Sequence, residues 1–548
     1  MAEGVKTMLT TAIALADQVA AKTGSTKCLP ECMELCSRVR KLAAALRLAA
    51  RTDLYERPAE RIIPVAMDAL VMAGRCFEGH HSRLRRFLAF NFSLVPTVRR
   101  THEVLDAALA DVAWLLRFSS PHTDGDMLGL PNILCGDPKL FLVWDHIARV
   151  HTGSRAVRAD SASSLASLAR DNPRFAELIV QEDGVRPLVN LLKAGTDDGK
   201  EAAATALGLL GRDEESVDKL LRADVCFVYA AALKEPSMRV RAAVAEAIAL
   251  LAHHNRRLQD SLSQTNAVRL LVSLIDETPE PMTSLHSVVL AKMRQLQGQQ
   301  IEDAPDKARM KTMAAKALWK LARGHPGVCQ SIAESGDILC FTRLLDKSGR
   351  RSELQFYSAM TIMEIARVAE LNLALRQSAF KPGKAAVTEQ LLRIVRQGQG
   401  ESDDPLLLPC ISSLGCLSRT FTASQISRVV GLLVELLDNR EPSVTREAML
   451  ALTKFVCTGN HLHVNHSKAI VDAGGAQRLV LLVYLGDKQL QIQALILLCG
   501  VALNVPENEE LAQAGVLDVL LWASKQVHLV HDVRVEALRT NAVGTLLD

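Results

Sequence analysis

Three cysteines, Cys28, Cys32 and Cys36, follow one another at helical spacing near the start of the chain. Thiols on one face of a helix could bind a metal ion or carry a fatty-acyl group. No histidine stands at ligand spacing beside them, and a free cysteine packs as a small apolar side chain. The spacing therefore favours core packing over a metal site.

The densest histidine cluster is His461, His463 and His466, in the run NHLHVNH. A zinc site would need further cysteine, histidine or carboxylate ligands at regular spacing, and none completes a zinc pattern here. We interpret the cluster as a solvated loop between helices of a repeat. No metal site is expected.

Catalytic signatures are missing from the sequence. It contains no Walker loop and no GxGxxG, HExxH or GxSxG motif, nor a RING or U-box pattern of cysteines and histidines. Serine, histidine and aspartate are scattered without a local pattern, although a triad need not be local. The sequence therefore predicts a protein without enzymatic activity and without a cofactor.

A column of cations marks the end of a recurring segment, of which KALWKLAR (316–323) and MTIMEIAR (360–367) are two copies. The recurrence predicts a stacked array of helical repeats, and by analogy with such arrays this position lies on the groove-lining helix. We predict a partner-binding groove built from Arg170, Arg212, His253, Arg323, Arg367 and Arg419, together with Trp319. Bidentate arginine–carboxylate pairs would then hold an acidic, extended partner segment.

Helix capping is the alternative interpretation of the same column, because cations are favoured at helix C-termini. Lysine would serve there as well as arginine, yet no lysine occurs in the column. The groove interpretation is therefore favoured.

A second positive patch lies in the run HHSRLRR (80–86), with Arg83, Arg85 and Arg86. Such a patch could meet anionic lipid or an acidic partner. An exposed edge between two helices would have the same composition. Both interpretations remain open.

Four amphipathic segments precede the repeats. One of them places Leu35, Val39, Leu42, Leu46 and Ala49 on a single face. Apolar residues at this spacing predict helices, and four of them predict a helical bundle over residues 1–118. Residues 119–154 are predicted to be a linker and a lead-in helix.

Copies of the recurring segment return about every 40–50 residues, the period of armadillo and HEAT repeats. The leucine or isoleucine at one equivalent position of each copy is predicted to be buried between adjacent repeats: Leu165, Leu207, Ile248, Leu318, Ile362, Leu414 and Leu452. The copies predict a right-handed α-solenoid of about eight to nine repeats over residues 155–548, and hence an all-α protein. A glycine at a helix end in each repeat is expected to adopt the left-handed conformation. The longer spacing between His253 and Arg323 predicts a surface insertion near residues 279–308.

Composition agrees with a helical array. Of the 548 residues, 49% are hydrophobic and only 4% are aromatic, and the net charge is +3. This near-neutral balance predicts no nucleic-acid partner. The cysteines form no CxxC pair, which favours reduced thiols in the cytosol or nucleus.

The stretches GLPNILCGDPKLFLVWDHIARVHTGS (129–154) and SASSLASLARDNPRFAELIVQEDGVRPLVNLL (161–192) resemble the plant ARMADILLO REPEAT ONLY family. The resemblance covers most of the chain and is weaker in the later repeats. It implies a non-catalytic adaptor in polarised growth that works with small-GTPase signalling and its regulators. It also implies location in the cytoplasm, at the plasma membrane and in the nucleus.

Importin-like arrays repeat a groove tryptophan followed four residues later by asparagine. Here only Trp319 has the aromatic side chain, and Arg323 replaces the asparagine. The chain is therefore not expected to carry basic nuclear signals. We predict a scaffold that binds a polypeptide in its groove, with a peripheral membrane adaptor, bound to lipid through its N-terminal bundle, as the alternative.

Overall fold

The computed structural model describes residues 3–22, 30–81, 94–119, 131–134, 138–275, 304–334, 338–346, 352–380, 386–398, 404–530 and 533–547. Every regular element in these ranges is a helix, and none of them contains a strand. The predicted all-α fold is confirmed. The chain forms two compact units, Met1–Ala247 and Ile248–Asp548.

The N-terminal compact unit contains eleven complete helices in its described residues. They are α1 (Glu3–Lys22), α2 (Pro30–Arg51), α3 (Glu56–His81), α4 (Leu94–Phe118), α5 (Pro138–Thr152), α6 (Arg155–Asp171), α7 (Pro173–Gln181), α8 (Val185–Ala194), α9 (Asp197–Leu210), α10 (Glu214–Arg222) and α11 (Val225–Ala232). A 3-10 turn at Asn132–Leu134 precedes α5. The next helix, α12 (Met238–His254), contains the boundary between the units.

The C-terminal compact unit continues with α13 (Arg256–Gln264), α14 (Ala267–Ile275), α15 (Ala304–Ala322), α16 (Pro326–Glu334), α17 (Ile338–Leu345), α18 (Glu353–Leu371), α19 (Leu373–Ala379), α20 (Ala386–Gly398), α21 (Leu407–Cys416) and α22 (Ala423–Glu435). After a 3-10 turn at Leu436–Asp438 follow α23 (Pro442–Val456), α24 (His463–Asp472), α25 (Gly475–Leu485), α26 (Lys488–Asn504), α27 (Glu509–Gln513), α28 (Val516–Ala523), α29 (Val527–Val530) and α30 (Val533–Leu547).

The first four helices pack against one another. Helix α1 contacts α2 and α3, and α4 contacts both α2 and α3. The face of α2 from Leu35 to Ala49 is buried, as its periodicity predicts. The described part of the N-terminal region is therefore helical; the domain boundaries at 118 and 154 stay predictions.

Most repeats consist of two short helices followed by a longer one, which we call the third helix. In the C-terminal compact unit, α15 packs on α18, α18 on α21, α21 on α23, α23 on α26, and α26 on α30. One leucine or isoleucine per third helix occupies the same repeat position, and each is at most 1% exposed: Leu165, Leu207, Ile248, Leu318, Ile362, Leu414 and Leu452. The predicted burial of this column is confirmed.

The connections between the short helices correct one sequence-based expectation. Gly474 and Gly515 adopt positive φ, as expected, but Gly184 has a φ of −69°. There the left-handed residue is Asp183, with a φ of 62°. Glycine is required at position 184 for lack of space: a Cβ there would lie only 2.8 Å from Ile179 Cγ2.

Replacing Asp224 with glycine is expected to raise the free energy of unfolding by about 0.5–1 kcal/mol. Asp224 has a φ of 55°, and its side chain makes no capping hydrogen bond to α11. Glycine relieves this strain. Urea unfolding of the variant measures the change.

Asp213→Gly is the matched control. Asp213 has an ordinary φ of −119°, and its carboxylate caps α10 by accepting a hydrogen bond from Ser216 N at 2.9 Å. This variant should lose stability. If both glycine variants are destabilised, strain at Asp224 is not the dominant effect.

The predicted solvated loop at the histidine cluster is wrong for His466, which lies inside α24 and is fully buried. Its Nδ1 lies 3.2 Å from Asn460 Nδ2 and 3.1 Å from the Phe455 carbonyl oxygen. Burial lowers the pKa of His466, which favours the neutral ring. The residue closes the end of α23 and is structural.

Several sequence predictions fall on residues that the structure does not describe. They include Cys28, most of the insertion at 279–308, and the patch residues Arg83, Arg85 and Arg86. Cys36 is buried, which agrees with core packing. Among the described helices, none is long and apolar enough to cross a membrane.

Candidate interaction surface

The predicted groove residues lie at or just beyond the ends of third helices. Arg170 lies in the last turn of α6, and Arg367 lies one turn before the end of α18. Arg212, Arg323 and Arg419 follow the ends of α9, α15 and α21. Most of the set is exposed, and two members are partly buried: Trp319 and Arg419.

The carbonyl groups at the ends of third helices are capped by other side chains. Gln259 Nε2 donates to the carbonyls of Leu321 at 2.8 Å and Arg323 at 2.9 Å. Arg376 Nη1 donates to the Glu370 carbonyl at 2.6 Å, at the end of α18. Within the described ranges, no guanidinium of the arginine column donates to a backbone carbonyl. This geometry disfavours capping as the reason for the column.

Three aromatic rings form a layer between α15 and α18. The Trp319 ring stacks on Tyr357 with centroids 5.8 Å apart, and it meets Phe356 edge-on at 6.1 Å. Lys320 Nζ lies 3.8 Å from the centroid of the Trp319 ring. Lys316 Nζ lies 6.0 Å from that of Tyr357. Flat rings beside cations offer contacts to both apolar and anionic parts of a ligand.

Glu364 lies on α18 beside this layer, with a side chain only 7% exposed. Arg367 Nη1 donates to its Oε1 at 3.3 Å. Burial raises the pKa of Glu364, against the lowering effects of Arg367, Arg323, the Gly324 N–H and Lys320. Arg367 is therefore partly neutralised from within its own helix, which the cation column alone did not predict.

The surroundings of Lys320 carry excess positive charge. Burial lowers the pKa of Lys320, and the nearby Arg323 and Lys316 lower it further, while Glu364 acts in the opposite direction. Lys320, Arg323 and Arg367 thus face the single carboxylate of Glu364, and Lys316 lies near Lys320. We call these five residues with Trp319 and Tyr357 the α15–α18 cluster.

A second polar group lies further along the same unit. Lys454 Nζ, on α23, donates to Glu370 Oε2 at 2.6 Å and to Cys416 Sγ at 2.9 Å. Burial raises the pKa of Cys416 to about 11, so the sulfur accepts this bond as a neutral thiol at pH 7. Burial and then Arg419 lower the pKa of Arg376, which lies close to both Arg419 and Glu370.

A shallow cleft of about 320 Å³ lies between α23 and α26. Its lining combines apolar carbon, two amides and one cation: Leu450, Ile492, Gln489, Gln493 and Arg446. Amide side chains can both donate to and accept from a peptide backbone. The third helices of this unit therefore expose groups suited to an extended polypeptide.

Sequence reasoning identified Trp319, Arg323 and Arg367, but it missed Lys320, Glu364 and Tyr357. The spacing of Glu364 and Arg367 at i and i+3 was the available signal for their pairing. In the part of the chain that the structure covers, no group of histidine, cysteine or acidic residues could hold a metal ion.

Beside the N-terminal positive patch, the structure describes Arg99 and Arg100. Both are exposed on α4. Arg99 Nε lies 3.6 Å from Glu103 Oε1, so part of its charge is compensated. Because Arg83, Arg85 and Arg86 lie outside the described residues, lipid binding by the patch stays a prediction.

Comparison with known families identifies two segments. Residues 172–212 match the armadillo/β-catenin-like repeat, and this segment contains α7, α8 and α9. Residues 6–120 match a domain of unknown function, DUF7792. The chain thus contains an armadillo repeat, preceded by a separate family segment. No curated protein matches the sequence.

Several solved structures that are similar to this chain are engineered proteins. An engineered protein from a structural genomics programme is 21% identical, with 75% of this chain and 99% of that chain covered and a TM-score of 0.49. A computationally designed armadillo repeat protein for modular peptide recognition is 18% identical, with coverage of 50% and 98% and a TM-score of 0.38. A designed armadillo repeat protein in complex with the peptide (KR)4 is also 18% identical, with coverage of 44% and 95% and a TM-score of 0.36.

Proposed function

We propose that this protein is a non-catalytic scaffold that binds an extended polypeptide along the third helices of its C-terminal compact unit. The observation that carries the proposal is the α15–α18 cluster, where half-buried lysines border stacked aromatic rings. Hydrogen bonds from Lys454 to Glu370 and Cys416 link the third helices α18, α21 and α23. Rigid helices can present a fixed row of contacts at low entropic cost.

The charge of the surface defines the chemistry of the partner. Arg323, Lys316 and Lys320 form no ion pair with any residue in the described ranges. A partner with aspartate or glutamate would supply the missing anions, and its attraction would weaken as salt is added. An acidic extended segment therefore fits this surface better than a basic one.

On the basis of the resemblance to the plant family, we propose that this scaffold acts in polarity signalling with small-GTPase regulators. We propose location in the cytoplasm, with contact to the plasma membrane and the nucleus. The free cysteines of the described region, most of them buried, are compatible with a reducing compartment.

Charge reversal of Arg323, Arg367 and Arg419 to glutamate is expected to weaken acidic-peptide binding by more than about 100-fold, because each charged hydrogen bond contributes about 1.5–3 kcal/mol. The probe is a displayed library of random peptides selected on the full chain. The retained peptides should be rich in aspartate and glutamate, and fluorescence anisotropy then gives their affinity for each variant.

The matched control reverses Arg269, Arg396 and Arg440, which are exposed outside the third helices. It changes the net charge by the same amount and should leave binding within about twofold. Circular dichroism confirms that both variants are folded. Equal affinity of the two triple variants would show that the column is not the binding site.

A further inference from the structure

In the α15–α18 cluster, the single negative charge of Glu364 does not balance the positive charges beside it. Glu364 is the acidic partner of Arg367, and it also receives the Gly324 backbone N–H. Its single charge faces Arg323 and Lys320 as well. Neither of these two cations forms an ion pair elsewhere in the described ranges.

The geometry favours an external anion at the solvent side of this group. The Glu364 carboxylate is almost enclosed, whereas half of the Arg367 side chain is accessible. Arg323 is exposed. Each guanidinium has five N–H donors. Arg323 and Arg367 therefore keep N–H donors that are not bonded to Glu364 and that are open to solvent.

We propose that Lys320, Arg323 and Arg367 form a subsite for a phosphorylated side chain of the bound polypeptide. This inference rests on the proposed function. A phosphate carries a charge of about −1.5 to −2 and three acceptor oxygens, which suits two guanidinium groups and one ammonium group. The Trp319 and Tyr357 rings provide an apolar wall for the neighbouring residue of the same peptide.

The three cations make the subsite prefer a dianion, because the attraction grows with the charge of the ligand. Glu364 repels every incoming anion in proportion to its charge, but the three cations outweigh its single charge. A phosphate with nearly two charges therefore gains more than a carboxylate with one. Removing the charge of Glu364 should therefore strengthen the binding of both anions.

The test uses three peptide libraries that are identical except at one fixed central position, which is serine, phosphoserine or glutamate. Each library is selected on the full chain. We expect at least about tenfold greater retention of the phosphoserine library than of the serine library, with the glutamate library between them. Arg323→Gln and Lys320→Met should remove most of this preference, whereas Arg396→Gln should preserve it.

The outcomes separate the two levels of the proposal. If no library is retained, the proposed function fails. If peptides bind but phosphoserine gives no advantage over serine or glutamate, or if the preference survives Arg323→Gln, the phosphate subsite is overturned while peptide binding stands. Glu364→Gln supplies a gain of function: it should raise affinity for selected phosphopeptides, and an unchanged or lower affinity in the folded variant contradicts the site.

Discussion

Replacement of Glu182 with alanine is expected to lower the free energy of unfolding of the N-terminal compact unit by about 2–4 kcal/mol. Glu182 follows α7 in the first armadillo repeat, and it is only 3% exposed. Its Oε2 accepts a hydrogen bond from Trp144 Nε1 at 2.9 Å, and its Oε1 accepts one from Arg61 Nη2 at 2.5 Å.

The loss is large because the remaining partners cannot all be solvated. Trp144 is fully buried, so its indole N–H would lose its acceptor without access to water. Arg61 is about half exposed and can return to solvent, which limits its share of the cost. The backbone carbonyl of Glu182, which accepts from Tyr55 OH at 2.6 Å, is unaffected by the mutation.

Two further variants distinguish the contribution of the Trp144 hydrogen bond from that of the ion pair with Arg61. Glu182→Gln keeps an oxygen for Trp144 and removes the charge, so it should lose only about 1 kcal/mol. Arg61→Ala leaves the buried Glu182 carboxylate without its cation, so it should cost more, about 3 kcal/mol. Urea unfolding followed by tryptophan fluorescence measures all three, and a loss in Glu182→Ala no larger than in Glu182→Gln would show that Trp144 does not depend on this acceptor.

These contacts explain how the helical N-terminal region is held to the repeats. Tyr55 lies between α2 and α3, Arg61 lies in α3, Trp144 lies in the lead-in helix α5, and Glu182 belongs to the first armadillo repeat. Directional bonds fix one arrangement of the apolar faces between them. The N-terminal region is therefore a structural part of this compact unit.

Apolar periodicity was enough to predict the third helices and their buried column. Leu165, Ile362 and Leu452 are far apart in sequence, yet each sits at the same position of a recurring segment. Repeats with one period bury equivalent residues, because each packs on a neighbour of the same kind. A repeated local pattern thus carried information about tertiary packing.

Long-range polar partners could not be predicted in this way. Arg61 and Glu182 are separated by 121 residues, and neither occupies a repeated position. The left-handed conformation at Asp183 was also missed, because the adjacent Gly184 appeared to be the residue that would need it. Such features depend on which residues become neighbours once the helices have packed. A single sequence does not show which residues these are.

Replacement of Leu318 with alanine is expected to cost about 2–5 kcal/mol, the range for a large-to-small change in a packed core. Leu318 is fully buried in α15, which packs against α14 and α18. Because a repeat contacts mainly its neighbours, the loss should concentrate around these helices. Hydrogen exchange should show faster opening of α15 and α18 than of α26.

Leu371→Ala is the matched control, since it removes the same atoms from a side chain that is 87% exposed at the end of α18. Its effect should stay within about 0.5 kcal/mol. Trp319 adjoins Leu318 and belongs to the α15–α18 cluster, so a cavity beneath it should also weaken peptide binding. A Leu318→Ala variant as stable as Leu371→Ala would contradict the packing of α15. It would also contradict the proposed binding surface, because the α15–α18 cluster depends on that packing.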